Sequence, residues 1–101
     1  MKIAHSDEGA PIAVAVWNTS VNITLSGTST QSAAIPVGVT VARLTATEPC
    51  WVVTKGTNPT ATTSSTYLPA GLVEYVRVTA GDKIAALQAG SGGTLNITYC
   101  E

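Results

Sequence analysis

The stretch "GTLNITYC" (Gly93–Cys100) decides how the rest of the chain is read. Leu95, Ile97 and Tyr99 fall on alternate positions, with Thr94, Asn96 and Thr98 between them. A period of two puts the apolar set on one face of a pleated backbone, which marks a half-buried antiparallel strand. Two more apolar runs lie just upstream. "LVEYVRVT" and "KIAALQA" are set off by Ala80-Gly81-Asp82 and by Gly90–Gly93. This spacing predicts a meander of three strands, with "GSGG" as a hairpin turn. "DKIAALQAG" also places Ile84 and Leu87 three apart, but it is short and lies between two strands, so it too reads as strand.

The same alternation runs back through the chain. Val21, Ile23 and Leu25 share a face in "VNITL", and "AVAVW" (Ala13–Trp17) is a further candidate strand. "SGTSTQSAA" (Ser26–Ala34) reads as a polar loop. Pro36 sits at the entrance of "VGVTVARLTAT", where a proline is tolerated because the first strand residue need not donate to the ladder. Val37, Val39 and Val41 then share one parity while Leu44 and Ala46 take the other, and a bulge near Ala42–Arg43 would reconcile them. Pro49 leads into "CWVV" (Cys50–Val53), and "TKGTNPTATTSSTY" (Thr54–Tyr67) reads as a solvated connection. No segment carries a convincing helical stripe. The expected fold is all-β: a small antiparallel β-sandwich of seven or eight short strands, compatible with a jelly roll. Residues 12–101 form its single domain, and residues 1–11, "MKIAHSDEGAP", read as an extended N-terminal arm. "SVNITL" and "TLNITY" echo each other, which shared alternation alone can produce.

Composition narrows the function. Charged residues make up 11% of the 101-residue chain, against about 25% in an ordinary soluble domain. The five basic residues, Lys2, Arg43, Lys55, Arg77 and Lys83, are scattered and the net charge is −1. Electrostatic capture of nucleic acid needs clustered cations, so no nucleic-acid partner is expected. The apolar stretch Ile12–Val16 is too short for a membrane span, and no membrane partner or targeting signal is expected. In a cytoplasm Cys50 and Cys100 stay reduced, so the fold should not depend on a bridge between them.

Chemistry is sparse. "HSDE" offers His5, Asp7 and Glu8 to a metal, but an arm lacks the rigid support that real ligand sets have. No glycine-flanked nucleophile elbow appears. "GSGG" lacks the Lys-[Ser/Thr] of a phosphate loop. Glu48, Glu74 and Asp82 read as solvent-facing acids, and Asn18, Asn22 and Asn96 sit in N-x-[ST] patterns that a Thr-rich chain produces by chance. Trp17 and Trp51 read as core anchors in a protein without phenylalanine, although exposed aromatics could also serve as a sugar-stacking platform. The expectation is no enzyme, no catalytic residue, no cofactor and no metal.

A surface of Thr, Ser, Ala and Asn tolerates burial against protein better than a lysine-rich one, and depletion of charge marks interface cores. Such a surface is expected to be covered by copies of itself or by a large partner. The C-terminal half carries a "G-x-N-P-x-A" turn (Gly56–Ala61), "YLPAG-x-x-EY" (Tyr67–Tyr75), "V-x-x-G-x-K-I-A" (Val78–Ala85) and a closing "GTLN-[IV]-T" (Gly93–Thr98). This pattern resembles small virion proteins encoded among the head genes of tailed bacteriophages. The resemblance covers about half the chain and implies a capsid decoration, or cement, protein made in the host cytoplasm and located on the virion. It implies the major capsid protein as partner. On that decoration hypothesis the protein assembles as a homotrimer, and the arm, which the resemblance does not reach, adds contact by ordering on binding, with Lys2, Ile3, His5, Asp7, Glu8 and Pro11 as candidate capsid contacts. A receptor- or carbohydrate-binding module of a fibre, with its site in Thr54–Thr66, and a tail or connector component are the alternatives.

Overall fold

The computed structural model describes residues 2–5, 11–14 and 17–100, with backbone alone at 2–5, 11–14 and Asn18. Among them the chain forms ten strands and no helix. β1 (Lys2–His5) and β2 (Pro11–Val14) pair antiparallel as a sheet of two strands. The other eight are β3 (Trp17–Leu25), β4 (Thr30–Gln31), β5 (Val41–Ala46), β6 (Cys50–Val53), β7 (Thr66–Leu68), β8 (Glu74–Arg77), β9 (Ala85–Gln88) and β10 (Gly93–Cys100). They form two sheets of four, β3-β10-β5-β8 (sheet 1) and β4-β9-β6-β7 (sheet 2), in which every pairing is antiparallel. Except for the step from β6 to β7, each strand of the sandwich leads to one in the opposite sheet. That order is a double-sheet jelly roll.

The meander expected from the C-terminal third is therefore absent. β8, β9 and β10 lie in sheets 1, 2 and 1, and each glycine turn carries the chain across the sandwich rather than around a hairpin. Gly81 shows why. Its φ of 89° suits glycine alone, and its N–H donates to Ile35 O at 2.9 Å, a partner from a distant segment. Gly71, at φ 75°, makes the crossing from β7 to β8 and donates to Ala46 O at 2.9 Å. "YLPAG-x-x-EY" and "V-x-x-G-x-K-I-A" are thus the two crossings that enter and leave β8.

The core lies between the inner faces. Leu95, Ile97 and Tyr99 point into it as the alternation predicts, against Ile23, Leu25, Ala42, Leu44 and Ala46 of the same sheet. Sheet 2 contributes Cys50, Val52, Leu68 and Ala86. β10 is central because both its flanks are paired. The echo between "SVNITL" and "TLNITY" has a structural meaning: these two strands are neighbours, with Asn22 opposite Asn96 and Val21 opposite Ile97.

Three other sequence readings are corrected. The β5 ladder is continuous from Val41 to Ala46, without a bulge at Ala42–Arg43. The parity change is absorbed earlier, in a turn that buries Val39 and leaves Val37 95% exposed. The bulge lies in β3 instead. Thr98 pairs with Ser20 and Cys100 with Trp17, so two β3 residues oppose Tyr99 alone. "SGTSTQSAA" is not simply a loop, since Thr30 and Gln31 pair with Ala86 and Ala85. The Thr54–Thr66 connection is tied down: Gln31 Nε2 donates to Asn58 Oδ1 at 2.7 Å and Pro59 O at 2.9 Å, and Ala61 N donates to Ser29 Oγ at 2.8 Å.

Both cysteines are free and buried. Cys50 belongs to the core, while Cys100 follows Tyr99 on the opposite face of β10 and stands outside that cluster. Burial pushes the Cys50 thiol above its ordinary value. A neutral buried thiol stabilises the fold while the unfolded thiol is also protonated. That contribution is lost as pH rises from the ordinary thiol range towards the raised folded value, because only the unfolded chain then ionises. Thiol reagents should label neither cysteine in the native protein at neutral pH and both after denaturation, and reductant should leave the melting temperature unchanged. Rapid native labelling, or a reductant-dependent melt, would refute this placement.

Candidate interaction surface

The bulge in β3 has a chemical consequence. Val21, Ile23 and Leu25 face the core, and unbroken alternation would send Trp17 the same way. The extra residue flips the parity and sends Trp17 to the outer face of sheet 1, as bulges commonly re-aim a side chain. Trp17 is 61% exposed. Its expected role as a core anchor is overturned.

Across this outer face the register aligns Ser20, Thr98, Arg43 and Tyr75 on four successive strands. The Arg43 guanidinium stands 5.1 Å from the Trp17 ring centroid, within cation–π range. Tyr75, directly opposite Arg43 on β8, is 45% exposed. The next row holds Asn22, Asn96 and Thr45. Thr98 Oγ1 donates to Asn96 Oδ1 at 3.0 Å, and Asn96 Nδ2 donates to Asn22 Oδ1 at 2.9 Å, so the polar side chains hold each other in place. The outward positions of sheet 1 include Arg43 and Arg77 but no carboxylate among the described residues. This face offers an indole, a phenol and a guanidinium on a rigid sheet.

A second feature opens at the β7/β8 end of the sandwich. A groove of about 530 Å³ separates these two edge strands. Its lining includes the core side chains Leu44, Val52 and Leu68, with Tyr67, Leu72 and Val76 nearer the surface. Trp51, on the outer face of sheet 2, packs against Tyr67 with ring centroids 5.0 Å apart and tilted by 59°. Trp51 is only half-buried, so neither tryptophan is a core residue.

The remaining sequence candidates are not brought together. Glu48 follows β5, Glu74 lies on β8 and Asp82 sits in the turn before β9. Among the described residues no group of three or more His, Cys, Asp or Glu side chains could hold a metal. Of the arm residues, Lys2, Ile3 and His5 are in β1 and Pro11 begins β2, where only the backbone is described. Asp7 and Glu8 lie outside the described residues. The arrangement of Trp17, Arg43 and Tyr75 was missed from sequence because it depends on a bulge and on two long-range strand pairings. Comparison with protein-family models, curated proteins and solved structures returns no match.

Proposed function

We propose that the protein is a non-catalytic virion component that decorates the outer surface of a tailed-phage head. It attaches as a homotrimer and stiffens the shell by bridging neighbouring copies of the major capsid protein. The observation that carries this reading is the outer face of sheet 1. Trp, Tyr and Arg are the residue types that dominate binding hot spots, and here they share one acid-free sheet face with short, neutral side chains around them. The virion-protein pattern of the C-terminal half supplies the partner. Repetition over the shell then adds many modest contacts, so none needs to be strong. Lys2, Ile3, His5, Asp7, Glu8 and Pro11 extend the contact in this reading.

Quantitative mass spectrometry of virions, with a heat challenge of heads lacking the protein, tests it. Copy number should follow shell symmetry, and added protein should raise the temperature at which heads rupture. Trp17→Ala should weaken attachment by roughly 30-fold, the equivalent of about 2 kcal/mol at a hot spot, without altering the melting of the free protein by more than a few degrees. A few copies per particle, or no protection of heads, would overturn the reading. A second reading has one observation in its favour: exposed Trp17 and Tyr75 flank hydrogen-bonding amides, the composition of a glycan-binding face. Glycan binding that Trp17→Ala abolishes, together with low copy number, would select a fibre module instead.

A further inference from the structure

The two ends of the sandwich are unlike. One is formed by β3 and β4, the other by β7 and β8. β3 is the longest strand, nine residues with neither a charge nor a proline, and among the described residues it pairs with β10 on one side only. Edges of that kind are usually blunted by lysine, proline or a covering element, because their unpaired N–H and C=O groups recruit another strand. β4, beneath it, is two residues long and offers little cover. The opposite end is concave, with a groove open between two short strands, its apolar floor rimmed by Thr54, Ser64, Ser65, Thr66 and Glu74, and Leu72 44% exposed beside it.

We propose that these two ends are the halves of one self-association interface. β3 of one copy pairs with β8 of the next and closes its groove, so that copies join head to tail in a ring. Strand direction favours this. The four strands of sheet 1 alternate in direction, so its edges β3 and β8 run opposite ways. Rotating a second copy about an axis along the strands sets its β3 antiparallel to β8, with inner face continuing inner face. The edges of sheet 2, β4 and β7, obey the same parity.

Shape favours it as well. Joining β3 to β3 across a two-fold axis would leave both grooves uncovered. Joining groove to groove would set two concavities against each other and leave β3 bare. Only the head-to-tail contact satisfies both ends at once. β3 brings no charge against Glu74 or Arg77 of β8, so no like pair is forced together. A heterologous contact of this kind either closes as a ring or grows into a filament. The inference rests on the two edges and not on capsid attachment, so it can fail or survive independently of that reading.

Cross-linking of the full-length protein in solution, without any capsid, tests it. Ser20→Cys marks the outer face of β3 and Arg77→Cys that of β8, and both positions are exposed. The native Cys50 and Cys100 are buried and give little background. With a short bismaleimide, an equal mixture of the two single variants should yield a cross-linked heterodimer, while neither variant alone should cross-link. The double variant should give a ladder that ends at one discrete mass. Leu72→Glu should convert the oligomer to monomer at least tenfold more readily on dilution, with its circular dichroism spectrum unchanged. Cross-linking of Ser20→Cys alone, or of Arg77→Cys alone, would establish a two-fold contact and overturn the proposal. A monomeric parent protein at all concentrations would overturn it too.

Discussion

Truncating Ile97 to alanine should destabilise the fold by about 2–5 kcal/mol, the range for removing a large aliphatic side chain from a packed core. Ile97 is fully buried at the middle of β10, opposite Val21 on one side and Leu44 on the other. Domains of this size have a total stability of about 5–15 kcal/mol, so the loss is a large share of it. Each kcal/mol moves the midpoint by roughly 4–8 °C in a domain of 60–100 residues, and thermal unfolding should fall by about 10 °C or more. Thr24→Ala, on the outer face of the adjacent strand, should change stability by no more than about 0.5 kcal/mol. If the two variants melted alike, β10 would not be the centre of the sheet.

Removing one hydroxyl should produce the next largest effect. Ser32 is buried just after β4 and runs beside Ile84. Its N–H donates to Ile84 O at 2.7 Å, and its Oγ accepts from the Ile84 N–H at 3.0 Å. Ile84 is fully buried, so water cannot replace the lost oxygen without opening the structure. Ser32→Ala should therefore cost about 1–3 kcal/mol, the penalty for an orphaned buried donor. Hydrogen exchange gives the specific readout. The Ile84 amide should exchange markedly faster in Ser32→Ala, and Ser32→Thr, which keeps the oxygen, should restore most of its protection. Unchanged exchange at Ile84 would show that this hydroxyl is not what satisfies it.

Local pattern carried the fold class and failed at connectivity, and Gly81 and Trp17 show where the limit lies. Leu95, Ile97 and Tyr99 were legible because a strand's two faces are written directly into alternate positions. A glycine turn between two strands does not say whether they are neighbours. At Gly81 the answer depends on Ile35, which lies 46 residues earlier (81 − 35) and accepts its N–H. Trp17 was misplaced for a related reason. A tryptophan in a chain without phenylalanine reads as a core anchor, and only its pairing with Cys100, past a bulge, reverses that assignment. The outer face with Arg43 and Tyr75 was therefore invisible, although the poverty of charge that suggested a covered surface was plain in the composition.

The alternation of consecutive strands between the two sheets bears on how the chain reaches its native state. Within the sandwich only β6 and β7 are neighbours both in sequence and in a sheet; every other ladder joins distant segments. Loop-closure entropy must be met before such ladders form, and domains dominated by non-local pairing fold in about milliseconds to seconds rather than microseconds. The order of synthesis adds a further constraint. β3 is the first strand of the sandwich to be made, yet its only partner in sheet 1 is β10, which is made after the other seven. Until Gly93–Cys100 has left the ribosome, sheet 1 lacks its central strand and the long uncharged β3 has both edges bare. A nascent chain paused before residue 93 would be exposed to strand capture by its neighbours at the moment when it has least structure to resist it.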